Sequence, residues 1–223
     1  MTFFAELLDH TREARESLVA TPIIQDCLRG QVALPAYVAF LREAYHHVSH
    51  TVPLMHACRA RMPTRLDWMQ EAIDEYIEEE TGHDAWILND LRALGQDADE
   101  VRRTGPGAAT EIMVAYAYDT IARKNPVGFF GMVHVLEGTS VTLALNAADQ
   151  IRRALALPPT AFSYLRSHGT LDQEHTAHFA ELMNRLDDAG DRAAVDHAAN
   201  MFYGLYGAIF QALPRSMPQE EVA

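Results

Sequence analysis

The chain has 223 residues, 48% of them hydrophobic, enough for a sizeable core, and no Pro/Gly/Ser-rich linker divides it, so one domain over residues 1–215 is expected. Its 31 acidic and 18 basic side chains leave a formal net charge of −13, which speaks against nucleic acid and anionic membranes as partners. Two cysteines without metal-like spacing, Cys27 and Cys58, point to a reduced cytoplasmic protein; there is no basic start before an apolar run, as in a secretory signal, and no run nears the roughly 18 apolar residues of a membrane span.

Strand-like alternation is scarce and helical periodicity nearly continuous. FFAELLDHTREARESLVA reads as a first helix, stopped near Thr21-Pro22, and IIQDCLRG as a short second one ending at Gly30. LPAYVAFLREAYHHVSHTVPLMHACRARM starts with a proline suited to a helix N-terminus, and Pro53 is expected to kink it beside a group of histidines. A long acidic helix runs from about Thr64 to Leu94 with Gly82 inside it, followed by ATEIMVAYAYDTIARKN. VGFFGMVHVLEGTSVTLALNAADQIRRAL is apolar almost all round, the mark of a central core helix. Pro158-Pro159 precede AFSYLRSHGTLDQEHTAHFAELMNRL, and a last amphipathic helix covers roughly Arg192 to Leu213 before a tail, 216–223, expected to fray. The fold class is all-α, with seven to eight helices.

Four long helices carry acids or imidazoles embedded among apolar residues: Glu43; Glu79, Glu80 and His83; Glu137; and His168, Asp172 and His175. The last three advance by four and then three residues, which places them within about 60° on one helical stripe. An unpaired buried carboxylate costs several kcal/mol, and several converging would repel one another unless cations stood between them. Helical bundles hold di-iron or di-manganese pairs with one Glu from each of two helices and Glu-x-x-His from each of two others. Along this chain the order is Glu43, Glu80-x-x-His83, Glu137, Asp172-x-x-His175, with His168 as an addition.

With His168-x3-Asp172-x2-His175 on its last motif helix and Glu137 about thirty residues earlier, the chain resembles the haem-oxygenase-like di-metal oxidases, also called iron-containing redox enzymes. It departs at Tyr76, where several members carry a carboxylate, so Glu80, or Glu79, takes that place. The resemblance implies a haem-oxygenase-like bundle and two iron ions (or manganese) held by Glu43, Glu80, His83, Glu137, His168, Asp172 and His175. It further implies dioxygen as co-substrate, oxidation of a small amino-acid- or fatty-acid-like molecule, and a homodimer. Glu80 and Glu137 would flank both ions, with Glu43, His83 and His175 on one and His168 with Asp172 on the other.

His46, His47 and His50 are open between ligands, side chains that orient ligands, and surface groups; His134 reads as a core histidine. Gly138, Thr139 and Ser140 around Glu137 allow either close helix packing or room for substrate. Three rival readings remain. A haem oxygenase would need a proximal histidine where Arg15 stands. A metal-independent enzyme of the TenA or PqqC type would, in its thiaminase form, need a cysteine near Glu137. The third is a non-catalytic metal- or ligand-binding member of the fold.

Overall fold

The computed structural model describes residues 1–215, apart from the side chains of 170–174; the tail expected to fray, 216–223, lies outside the described residues. Among the described residues the chain forms helices and no strands. In order they are α1 (Phe3–His10), α2 (Arg12–Val19), α3 (Pro22–Leu28), α4 (Leu34–Val48), α5 (Thr51–Arg61), α6 (Asp67–Glu80), α7 (His83–Ala93), α8 (Ala98–Arg103), α9 (Ala108–Arg123), α10 (Phe129–Leu155), α11 (Ser163–Arg185) and α12 (Ala189–Ala212).

Twelve helices stand where seven or eight were expected, because three of the long segments are broken. At Thr11 the side-chain hydroxyl donates to the Leu7 carbonyl at 2.7 Å, and α2 starts one residue later. The second break, at Ser49-His50, lies four residues before Pro53, whose ring has no N–H to give the Ser49 carbonyl and clashes with it. Pro53 is instead the third residue of α5, where no intrahelical N–H bond is required. The third break is at Thr81-Gly82: Gly82 has φ +93°, in the left-handed region where glycine alone is unstrained. The remaining addition, α8, is a short helix capped by Asp97, whose carboxylate accepts from the Asp99 and Glu100 N–H groups.

The central helix is α10, packed against α11 and α12. Every residue from Phe129 to Val135 is buried. Gly131 makes this possible: a Cβ there would stand 2.5 Å from the Ala199 nitrogen, so α10 and α12 meet backbone to backbone. Contrary to the expectation from sequence, Pro126–Leu155 holds an 18-residue window of mean hydropathy 1.3, long and apolar enough by composition alone for a membrane span. Its packing is that of a core helix, with 56% of the most apolar window buried.

The start of α11 is held by Asp90 on α7, which is fully buried and accepts from the Ser163 and Tyr164 N–H groups at 2.8 and 2.9 Å. That buried cap supplies the acceptors that Phe162, at the N-cap position, lacks, and it fixes α7 to the helix carrying His168.

Candidate metal centre

Glu80 ends α6 and His83 begins α7, so the two motif residues flank the left-handed Gly82 rather than sitting on one helix. The turn brings their side chains together in the interior. His83 Nδ1–H donates to Glu80 Oε2 at 3.0 Å, with 5% and 9% of the two residues exposed. His168 on α11 joins them: ligand atoms of Glu80, His83 and His168 all lie within 4.8 Å of one another. The His83 and His168 rings meet edge to face with centroids 4.9 Å apart.

Around this cluster stand aromatic rings that block water. Trp86, one turn beyond His83, stacks on its imidazole at 4.0 Å and meets His168 at 5.8 Å. Tyr164 presents an edge to His168 at 4.9 Å. Burial acts to raise the Glu80 carboxyl, but the hydrogen bond from His83 and the nearby His168, His83 and His175 outweigh it and hold it below the usual carboxylate range. Glu80 is thus an anion in a dry pocket, already facing two nitrogen donors.

Glu137 on α10 and His175 on α11 make a second pair nearby, with Oε1 and Nδ1 3.6 Å apart. The other ring nitrogen of His175 faces Glu79 Oε2 at 3.2 Å, and Tyr76 lies edge-on to the same ring at 5.9 Å. Glu79 is half exposed while Glu80 is buried, so of the two candidate glutamates Glu80 is the one inside the cluster. Asp172 shares the α11 backbone with His168 and His175, but its side chain lies outside the described residues. Glu80, Glu137 and His168 all open onto one cavity of about 170 Å³, whose remaining wall is almost wholly apolar.

A family model described as iron-containing redox enzyme matches residues 38–207, a stretch that holds every one of these side chains. The chain belongs to that family. No curated protein matches the sequence. Among solved structures, a Shewanella denitrificans domain of unknown function with a haem oxygenase-like fold is 21% identical, TM-score 0.82, over 94% of this chain and 90% of its own. A TenA homologue from Pseudomonas syringae pv. tomato is 12% identical, TM-score 0.80, over 94% and 91%. A haem oxygenase from Leptospira interrogans is 14% identical, TM-score 0.76, over 96% and 100%. At these identities the likeness is one of fold.

The residues of this iron-containing redox enzyme fit a metal ion. Bonds of about 2 Å let one cation join ligand atoms up to about 4 Å apart, so the cluster of Glu80, His83 and His168 needs only a small side-chain adjustment. Imidazole and carboxylate together suit iron. The division of ligands differs from the one the resemblance implied: His83 stands with His168, and His175 stands with Glu137 and Glu79.

Glu43 is not brought to the cluster. Its carboxylate accepts from the Gly107 N–H at 3.1 Å and from the Thr110 hydroxyl, capping α9 from another helix because Gly107 has no side chain to do so. Spacing placed Glu43, His47 and His50 on one stripe, yet α4 meets different neighbours one turn apart. Glu43 faces α9, whereas His47, 2% exposed, lines the cavity shared with Glu80, Glu137 and His168. His50 reaches the Tyr118 hydroxyl through Nδ1 at 3.0 Å. Replacing Glu43 by alanine is therefore expected to cost about 1 kcal/mol of stability, by analogy with a lost N-cap. Iron content should not change. Urea unfolding and metal quantification on the same preparation check both.

Proposed function

We propose that the chain is a non-haem iron oxidase that activates dioxygen at a two-iron centre and oxidises a small organic molecule held in the adjoining cavity. The ligands would be Glu80, His83, Glu137, His168, Asp172 and His175; Glu43 has no part in the centre. The observation that carries this reading is the cluster of buried Glu80 and His83 with half-buried His168 at the wall of an apolar cavity.

Iron bound there supplies electrons and a binding position for dioxygen. The chain's own residues do the rest. Glu80, ionised in the interior, offsets the charge of a bound cation, and Glu137 adds a second carboxylate from α10. Trp86 and Tyr164 pack against the imidazoles and limit their rotation. The apolar wall keeps water from the substrate, so that oxidising equivalents are spent on the organic molecule.

Two observations bear on the rival readings. A thiolate nucleophile of the thiaminase kind has one candidate on the cavity wall, Cys27, and burial pushes its thiol up to about 11, leaving it protonated. Cys58, also unpaired, is pushed up to about 12 in the core. For haem, Arg15 stands where a proximal histidine is expected, and His10 is turned to the surface beside Asp196 at 3.4 Å.

The test is anaerobic loading of the full chain with Fe(II), followed by iron quantification and a measured pulse of dioxygen. Two irons per chain and dioxygen uptake that a Zn(II)-loaded sample lacks are expected. Fewer than one iron per chain, or equal uptake by both samples, would overturn the reading.

A further inference from the structure

The cavity beside the cluster is lined mainly by α3, α4, α10 and α11, with α5, α6 and α12 contributing, and residues of both hydrophobic core clusters reach it, among them Ile24, Met132, Ala144 and Leu165. At about 170 Å³ it is close in size to a 150 Å³ apolar cavity that takes up benzene, so it suits a molecule of roughly six to eight carbon atoms.

Three polar side chains interrupt the apolar wall without a partner among the described residues. His47 Nδ1, Thr139 Oγ1 and Ser140 Oγ are each buried with no hydrogen-bond partner among the described residues. His47 comes from α4, and Thr139 and Ser140 from the turn of α10 that follows Glu137. His47 is 2% exposed and Thr139 8%. A buried polar group left unpaired costs free energy, and native interiors hold only a few. Three on one cavity wall, next to Glu80, Glu137 and His168, call for a partner that the described residues do not provide. They stand apart from the ligand cluster, which His47 does not join.

We propose that His47, Thr139 and Ser140 form the polar subsite that positions the substrate: a compact, largely hydrocarbon molecule whose single hydrogen-bonding head pairs with these side chains while its body fills the apolar wall. The inference rests on the oxidase reading for its meaning, since it states which molecule is presented to the metals, but the binding itself requires no metal. The neutral imidazole offers one donor and one acceptor, and the two hydroxyls offer both. The head can thus be a hydroxyl, an amine or a carboxyl; the single hydrogen-bonding group is the shared chemistry.

The experiment uses metal-free full-length protein, with benzyl alcohol and toluene as probes measured by calorimetric titration. They share a ring that fits the cavity and differ in one hydroxyl. The variants are Thr139→Val and His47→Leu, which keep volume and remove the polar atom, with His47→Asn as the conservative rescue. Wild type is expected to bind both probes. Each apolar variant should lose about three- to tenfold in affinity for benzyl alcohol, the worth of one net hydrogen bond, and keep its affinity for toluene. His47→Asn should recover part of the loss. The apolar variants should melt no lower than wild type, since each removes an unpaired buried polar atom. The proposal is overturned if wild type binds neither probe, if the apolar variants bind benzyl alcohol as wild type does, or if both probes weaken together as melting drops. None of these outcomes bears on the iron and dioxygen measurements, so the two readings fail separately.

Discussion

A Glu80→Ala chain is expected to lose iron affinity by at least about 100-fold and to emerge from Fe(II) loading and desalting nearly iron-free. Removing groups that merely orient a metal ligand already costs about 10- to 100-fold, and in the proposed centre Glu80 is itself a ligand beside His83 and His168. The substitution takes away the one carboxylate of that cluster among the described residues, leaving two imidazoles that neutralise no metal charge. It also strips His83 Nδ1–H of its acceptor, so the metal-free fold should weaken by about 1–3 kcal/mol. Glu79→Ala is the matched control: its carboxylate is half exposed and touches only the outer edge of His175, so iron affinity should fall by about tenfold or less. Competition with a chromogenic chelator measures both. Equal iron affinities for the two variants would contradict the placement of Glu80 inside the centre.

The metal-free protein is expected to lose about 4 kcal/mol of stability between pH 7 and pH 5. His47 and His134 are responsible. Burial is the main cause that brings their imidazoles down, to about 3 and about 4, with His168 and His46 adding to it for His47 and Arg15 for His134. An unfolded imidazole titrates near 6.5. Between 6.5 and those lower values the unfolded chain takes up protons that the native state refuses, so stability is complete above about pH 6.5 and falls as acid is added. At pH 5 each histidine accounts for about 2 kcal/mol. For a chain of this length that is a drop in melting temperature of about 8–16 °C. The expected loss is a large share of the 5–15 kcal/mol typical of a native protein. Urea unfolding at pH 7, 6 and 5 in the presence of a chelator reads it directly. His134 packs on Phe179 and approaches the Thr11 hydroxyl, away from the metal cluster, so His134→Leu should halve the slope without touching iron binding. A flat profile from pH 7 to 5 would show that these imidazoles are not held neutral.

The site was legible in the chain to the degree that it depends on local spacing. Glu80 and His83 are three residues apart, and the apolar setting of Glu137 marked a buried carboxylate; both fall within the pattern that a single helix or turn imposes. Glu43 was misplaced because periodicity gives the stripe of a helix and not the neighbour each turn of that stripe meets. On α4 the answer changes within one turn, from the open N-terminus of α9 at Glu43 to the cavity at His47. Trp86 carried a weak signal, lying one turn after His83, but nothing local says that its ring stacks on the imidazole rather than facing solvent.

Legible from the residues alone are the all-α class, the identity of the apolar central helix and the family. The first two follow from an apolar period repeated over tens of residues, which averages out local ambiguity, and the family from the spacing of Glu137, His168, Asp172 and His175. The breaks at Thr11, Ser49 and Gly82, the partnership of His83 with His168, the diversion of Glu43 to a helix cap and the polar corner of His47, Thr139 and Ser140 came only with the packed fold. Each of these depends on groups far apart in the chain, and which of two polar groups is left without a partner is decided by how three or four helices close around it.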